Sequence, residues 1–541
     1  MKRRILQRYL LSLMSGLLLV ISFPYTGSLT PLVFIAWIPL LLVEDQLSRE
    51  KRKSIHFFPH AYLSLFIFNF GTTWWIWNST EIGGVLAFVL NSLLMALALQ
   101  LFHFVKKQVG NTFGYLGFIF IWIAFEYLHF NWELSWPWLS LGDFFSIKTN
   151  WIQWYEYTGV LGGTIWVLLL NLSLFLLLKR VLSEKNKTRL FSNIAGVFAL
   201  LIIPLSLSYL LIPKPIITSK TSEIVVVQPN IDPYNEKFSE NSTVEDQLAK
   251  FFALADKKTT INTDLILGPE TVISRGFFEQ DLTAFPFYQQ ITLFREKHPN
   301  TEILIGSSSA CFYNYKRSVA SQPFNGGFYE NYNSSLFVDV KNKNSFIHKS
   351  KLVLGVEKIP FAETFPFFES LTIENGGSSG TLGIEESPKI FEGKSRLAPI
   401  VCYESIYGEY VSKQSKLGAQ VLCILTNDGW WKDTPGYKQH FSFARLRAIE
   451  NRKWVVRSAN TGKSGLISPS GEVIKETSWW VEDVFRCNVP LLDGQTFYVK
   501  HGDYLGKGFL AVSYLLIAFA CYTFIRGKLR FKKSLKNNKI G

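Results

Sequence analysis

Apolar and polar positions follow two different regimes along this chain. Up to residue 212, long apolar runs alternate with short polar connections. The runs are Tyr9–Phe23, Thr30–Val43, Phe58–Trp77, Val85–Val105, Thr112–Phe130, Gly159–Leu178 and Phe191–Ile212, and one more lies at Phe509–Ile525. At 1.5 Å per residue, most of them match a hydrocarbon layer roughly 30 Å thick. The pattern predicts about eight transmembrane helices, the second of which is short and needs its flanks to span. The first run follows Lys2, Arg3 and Arg4, as a signal peptide would. No small-residue cleavage site follows it and further runs come directly after, so a retained anchor is expected.

From Pro213 to Gly506 the pattern changes to short apolar stretches separated by helix-like ones. Strands are predicted at Glu223–Gln228, Leu265–Gly268, Ile303–Gly306, Ser335–Val340, Leu397–Val401, Val421–Thr426 and Trp454–Ser458. Helices are predicted at Val244–Lys257, Phe287–Lys297 and Tyr437–Asn451. Such alternation over nearly 300 residues implies an α/β domain built as a layered sandwich. The expected organisation is a membrane domain over residues 1–212, a catalytic-sized domain over 213–506, and a last span with a basic tail over 507–541.

Composition agrees with a membrane-embedded part: 48% of the 541 residues are hydrophobic and mean hydropathy is +0.15. The net charge of +14 does not form a phosphate-binding stripe, so no nucleic acid partner is expected. The basic residues sit instead at every second connection: the N-terminus, Arg49/Lys51/Arg52/Lys53, Lys106/Lys107, Lys179 to Arg189, and Arg526 to Lys533. By the positive-inside rule both termini are cytoplasmic and residues 213–506 lie outside the cytoplasmic membrane. The Trp74/Trp75/Trp77 cluster suits either an outer aromatic belt or core packing. The apolar spans carry few ionisable residues, Glu126 being the main one, and a transport site usually needs more.

Three polar residues stand beside apolar strands in the second regime, Lys349 just after Ser335–Val340 and its turn. Cys402 ends the strand in "RLAPIVCYESIYGEYV", at a strand-to-helix turn where helix N–H groups favour a thiolate. Position alone also suits a buried structural thiol. Glu270 ends "DLILGPE", and Lys349 lies in "FIHKSKLVLGVEKIP", where Lys351 is equally eligible on chemistry alone. Singly, the glutamate reads as a solvated loop carboxylate and the lysine as one of many on the surface. Together the three can perform acyl transfer, with a carboxylate to take the thiol proton and an ammonium to hold the oxyanion. Of the other cysteines, Cys311 is expected just after a strand, Cys423 in a strand core, Cys487 late in the domain and Cys521 in the last span. Five cysteines without CxxC spacing suggest no metal site. The eight histidines suggest no Ser-His-Asp arrangement.

"GPE", "KSKLVLGVE" and "CYE", in that order, resemble the Glu–Lys–Cys series of the nitrilase superfamily. The resemblance is closer to its membrane-bound branch, the apolipoprotein N-acyltransferases, and covers essentially the whole chain. It includes "QPNIDPYNEKF" from Gln228, "NDGWW" from Asn427, the run "QHFSFARLRAIENRKWVVRSANTGKSGLISPSG" from Gln439, and "SWPWLSLG" from Ser135. The resemblance implies an αββα sandwich beside a polytopic helical membrane domain. It implies Glu270 as general base, Lys349 as oxyanion-stabilising cation and Cys402 as nucleophile, with Glu357, Glu404 and Tyr403 as accessory residues. Two departures stand out: Leu354-Gly355-Val356, where the family shows a Pro-Phe-Gly type sequence, and Phe238, where tryptophan is common. Both bear on substrate-tail preference.

The implied reaction moves a fatty acyl chain from a membrane phospholipid, through a cysteine thioester, to the α-amino group of a diacylglyceryl-cysteine on an apolipoprotein. It needs no cofactor, and its setting is the bacterial inner membrane with the catalytic domain in the periplasm. Phe365 and Phe367, in "PFAETFPFFES", either form a lid dipping into the bilayer or close the domain core. Trp430 and Trp431 either line an acyl groove or pack behind Cys402. A membrane-anchored carbon–nitrogen hydrolase with the same three residues is the alternative, followed by a non-catalytic transporter or scaffold.

Overall fold

The computed structural model describes residues 2–181, 187–214, 220–239, 242–364 and 381–537. The first half is helical: α1 (Lys2–Ser22), α2 (Ile38–Arg49), α3 (Phe58–Thr73), α4 (Glu81–Val109), α5 (Asn111–His129), the short α6 (Tyr155–Thr158), α7 (Val160–Val181) and α8 (Lys187–Leu210). Among the described residues, seven segments are long and apolar enough to cross a membrane: Lys2–Ser22, Thr30–Arg49, Gly83–Val109, Asn111–His129, Val160–Val181, Leu190–Leu210 and Tyr504–Arg530. The run expected as the third span is shorter. It is the 16-residue α3, which passes into a 3₁₀ turn at Trp74–Asn78.

The second run is not one helix. It is a 3₁₀ turn at Thr30–Phe34 followed by α2, each with a proline in its first positions. Backbone groups freed in an apolar interior need partners, and two side chains supply them. Ser15 Oγ donates to Ala36 O at 2.6 Å. Asn171 accepts from Trp37 N at 2.9 Å and donates to Val33 O at 2.8 Å. Glu126 is equally well held, accepting from Trp122 Nε1, Ser140 Oγ, Leu141 N and Thr164 Oγ1 at 2.6–3.0 Å. It ties α5 and α7 to the loop that begins "SWPWLSLG". The tryptophan cluster divides: Trp75 is buried, while Trp74 and Trp77 are exposed.

Among the described residues, fourteen strands make two sheets. β1 (Thr221–Gln228), β2 (Leu265–Leu267), β3 (Ile273–Phe278), β4 (Glu302–Tyr313), β5 (Gln322–Phe324), β6 (Gly327–Val338), β7 (Asn344–His348) and β14 (Asp483–Pro490) form the first. Its order is β14-β1-β2-β4-β6-β5, with β3 on β4 and β7 on β6. β8 (Phe391–Glu392), β9 (Arg396–Val401), β10 (Val421–Thr426), β11 (Trp454–Ala459), β12 (Gly465–Ile467) and β13 (Val473–Glu476) form the second, in the order β13 to β8. Ile224, Leu267, Leu304, Leu397, Cys423, Leu425 and Val456 interdigitate between the sheets. Helices α9 (Val244–Asp256) and α10 (Tyr288–Lys297) pack outside the first sheet. Outside the second lie α11 (Gly408–Lys416) and α12 (Pro435–Asn451). The result is the expected αββα sandwich.

Strands β4 and β6 are longer than their apolar cores predict. They pair without interruption from Ile303↔Val338 to Tyr313↔Phe328, which puts Cys311 inside β4 rather than after it. The polar stretch of β6 escaped an apolar pattern because it runs beneath the site. After the short α13 (Phe497–His501), the chain returns to the membrane half as α14 (Tyr504–Asn537).

The outer helical layer of the second sheet shares one core with the membrane half. Ala398, Ile400, Ile424, Phe441, Phe443 and Leu446 belong to the same buried cluster as Trp138, Leu141 and Phe144. Polar ties reinforce the seam. Gln439 Oε1 accepts from Trp138 Nε1 at 2.8 Å, and its Nε2 donates to Pro24 O and Thr72 O. Arg452 Nε donates to Glu156 at 2.6 Å.

Candidate active site

Three strand ends converge at one edge of the sandwich. β2 ends at Gly268-Pro269, which turns the chain so that Glu270 follows. At Gly306, where β4 passes beneath, a Cβ would stand 2.4 Å from Thr271 N and 2.6 Å from Glu270 Cα, so only glycine lets the two backbones approach. Lys349 follows β7, its N–H bonded to Asn333 O at 2.8 Å. Its Nζ donates to Glu357 Oε1 at 2.8 Å and to Glu270 Oε1 at 3.3 Å. The Lys351 ammonium lies over the Tyr407 ring instead, so geometry distinguishes the two lysines that chemistry could not.

Asn333, in the middle of β6, was missed from sequence. Its Nδ2 donates to Glu270 Oε1 at 2.8 Å and to Glu357 Oε1 at 2.9 Å, bridging the two carboxylates. Glu357 Oε2 accepts from Val353 N at 2.8 Å, which fixes the loop after Lys349. Burial works against the charge of Lys349, but Glu357, then Glu270, outweigh it and hold the ammonium above the ordinary lysine range. Lys237, from the "PYNEKF" stretch, donates to Glu270 O at 2.9 Å, and burial brings it down to about 7.

Cys402 directly follows β9 with a left-handed backbone, φ +49°, and is 8% exposed. A non-glycine residue there is strained unless its surroundings hold it. They do so through its carbonyl, which accepts from Ser405 Oγ at 2.8 Å and lies 3.1 Å from His440 Nε2. His440 Nδ1 is 2.8 Å from Asp428 Oδ1, and Arg457 pairs with the other Asp428 oxygen. Burial opposes the Asp428 charge, yet Arg457 and His440 hold its carboxyl at about 2.

Ser405, His440 and Asp428 therefore do form a Ser-His-Asp arrangement in space, one that spacing along the chain did not reveal. Its serine is fully buried and bonded beneath the Cys402 turn. The expected helix N-terminus at Cys402 is instead a five-residue 3₁₀ turn, Cys402–Ile406, with α11 starting at Gly408. The thiol is not lowered. Burial and the Glu270 charge push it up, with Lys349 opposing. A carboxylate, an ammonium and a protonated thiol brought together this way can carry out proton-coupled nucleophilic attack on a carbonyl.

Residues 224–496 match the carbon-nitrogen hydrolase family model, and residues 15–173 match that of the apolipoprotein N-acyltransferase N-terminal domain. The apolipoprotein N-acyltransferase of Chlorobaculum tepidum is 32% identical over 96% of this chain and 98% of its own. The chain belongs to the apolipoprotein N-acyltransferase family. The family member of Geobacter metallireducens is 26% identical over 95% of both chains. A solved Saccharomyces cerevisiae member of branch 10 of the nitrilase superfamily covers 53% of this chain and 96% of its own, at 14% identity and TM-score 0.35.

The remaining residues suggested by the family resemblance divide by place. Glu404 accepts from Val401 N at 2.8 Å and Ser350 N at 2.6 Å, joining the end of β9 to the residue after Lys349. Burial raises it to about 7 against those donors. Tyr403 turns to the membrane half, its hydroxyl donating to Ser135 O at 3.2 Å and its ring stacked on Trp136. Trp431 packs on Trp75, Trp138 and His440, behind the Cys402 turn. Trp430 is stacked on Phe238, with Tyr234 across its edge. Phe365 and Phe367 lie outside the described residues.

Proposed function

We propose that this enzyme transfers a fatty acyl chain from a membrane phospholipid to the α-amino group of a diacylglyceryl-cysteine on an apolipoprotein, through a thioester on Cys402. The observation that carries the reading is the Lys349 ammonium held between Glu270 and Glu357 next to Cys402. That site sits on a sandwich whose outer layer is continuous with membrane-spanning helices.

In the first half-reaction the Cys402 proton passes to Glu270 as sulfur attacks the phospholipid ester carbonyl. A raised thiol pKa calls for this coupling, because little thiolate is present beforehand. Lys349 holds the charge that develops on the carbonyl oxygen. Collapse of the tetrahedral species breaks the ester C–O bond, and the Glu270 proton goes to the leaving lysophospholipid oxygen. In the second half-reaction the lipoprotein amine attacks the thioester and gives a proton to Glu270. Sulfur departs and is reprotonated, leaving an amide. Thioester to amide runs downhill, so no further energy source is needed.

Residues 213–506 face the periplasm of a bacterial inner membrane, and both termini are cytoplasmic. The support is the basic connection pattern at Arg49–Lys53, Lys106/Lys107, Lys179–Arg189 and Arg526–Lys533.

The test is to give the full chain in detergent micelles a radiolabelled phospholipid and no acceptor. Label should remain on the protein, hydroxylamine should remove it, and Cys402→Ala should carry none. A diacylated lipoprotein peptide should then discharge it far faster than water does. Persistent labelling of Cys402→Ala would remove Cys402 from the role. Equally fast discharge without the peptide would make the enzyme a hydrolase.

A further inference from the structure

A second cluster of reactive side chains lies on the first sheet and does not include Cys402. Glu279 follows β3, Cys311 is in β4 and His348 closes β7, three elements that are far apart in sequence. One donor atom from each lies within 4.8 Å of the other two. His348 Nε2 is 2.7 Å from Glu279 Oε1 and 4.0 Å from Cys311 Sγ. All three residues are partly exposed, so solvent reaches the cluster. We propose that Glu279, Cys311 and His348 bind one zinc ion, with water in the fourth position.

The donor set is one nitrogen, one oxygen and one sulfur, the mixture that suits borderline-soft Zn²⁺. Tetrahedral coordination at the usual bond lengths separates such donors by roughly 3.4–3.6 Å. The 4.0 Å pair has to close by about half an ångström and the 2.7 Å pair to open slightly more, movements that side-chain torsions absorb.

The surroundings are those of a supported ligand. On the far side of the imidazole, His348 Nδ1 faces Glu385 Oε2 at 3.8 Å. The 2.7 Å contact with Glu279 puts the imidazole hydrogen on Nε2; when a metal takes Nε2 that hydrogen moves to Nδ1, where Glu385 is the carboxylate on that side to receive it. Tyr332 stacks on the same ring at 3.8 Å and fixes its plane. Ser309 Oγ donates to Glu279 Oε1 at 2.7 Å, which orients that carboxylate.

Without a cation the arrangement is unfavourable to a thiolate: burial, then the Glu279 charge, pushes Cys311 up to about 12. Binding replaces the thiol proton by the metal and releases it to solvent, while the imidazole proton exchanges to Nδ1. Zinc here would join β3, β4 and β7 immediately before Lys349.

The experiment uses the full chain in detergent micelles carrying Cys402→Ala, because Cys402 also lies near a histidine and an aspartate. The protein is stripped with a chelator and titrated with Co²⁺, then Zn²⁺. One cobalt per chain with a near-ultraviolet thiolate charge-transfer band, displaced by zinc, is expected. Cys311→Ser should lose the band, and Cys423→Ser, between the sheets, should keep it. Glu385→Gln, which touches the metal nowhere, should weaken zinc binding about 10–100-fold. Substoichiometric zinc, a cobalt spectrum lacking the thiolate band, or an unchanged spectrum in Cys311→Ser would overturn the proposal.

Discussion

Lys349→Met separates the electrostatics of the site from its chemistry. Methionine keeps the length of the side chain and removes its charge, leaving Glu270 and Glu357 joined only by the Asn333 amide. The ammonium lies 3.3 Å from one carboxylate and 2.8 Å from the other. At an effective dielectric of about 20, those attractions amount to roughly 5 and 6 kcal/mol, against several kcal/mol for desolvating the ammonium. Deleting one partner from such a buried cluster costs about 3–5 kcal/mol, because the charges left behind are unpaired.

Adding Glu357→Gln removes one of those stranded charges. The double variant should therefore be more stable than Lys349→Met, with a coupling of about 1–3 kcal/mol across the cycle. Thermal unfolding of the full chain in micelles, for wild type, both single variants and the double, gives the comparison. Thioester formation should stay slow in both variants lacking Lys349, so that stability recovers while chemistry does not. Effects that add within about 0.5 kcal/mol would refute the shared charge cluster.

Asn333→Leu removes two bonds to charged carboxylates, worth about 1.5–3 kcal/mol each, and should slow acyl loading measured with radiolabelled phospholipid while the chain still folds. Burial holds Lys237 at about 7, below the ordinary 10.5. The unfolded chain then binds the extra proton between those values, so this residue's contribution to stability grows as pH rises from 7 and is lost as pH falls back to 7. The melting temperature should rise less over pH 7–9 in Lys237→Met than in wild type. A reporter fused after Ile212 should be active only if it works outside the cytoplasm, and strong activity of a cytoplasmic reporter there would overturn the orientation.

What could be read from the sequence depended on whether a residue works through its neighbours in the chain or across it. Glu270 and Cys402 closely follow short apolar strands, which is a local pattern, whereas Lys349 could be told from Lys351 only by the family resemblance. Asn333 is one polar residue in a polar stretch of β6, and nothing near it in sequence shows that Glu270 and Glu357 close over it. The Asp428–His440–Arg457 cluster is likewise assembled from a turn, a helix and a strand. The second apolar run remains one candidate span, but hydropathy does not register Pro31 and Pro39, which break its helix, or the buried Ser15 and Asn171 that satisfy the break. Glu126 could be flagged as unusual but not explained, since three of its four donors come from beyond its own helix.

The seam along α12 sets what the enzyme can reach. With Gln439 bonded at once to the segments after α1, at the end of α3 and in the Trp138 loop, the sandwich is bolted to its base rather than hung from a stalk. A reactive group mounted this way stands at a height set by the helices beneath it. In the proposed reaction, donor and acceptor would be selected first by how far their scissile carbonyl or amine stands from the membrane surface, and only then by chemical identity. Shortening or lengthening the anchor of a lipoprotein peptide by a few ångströms would act as a specificity change without altering any contact in the site.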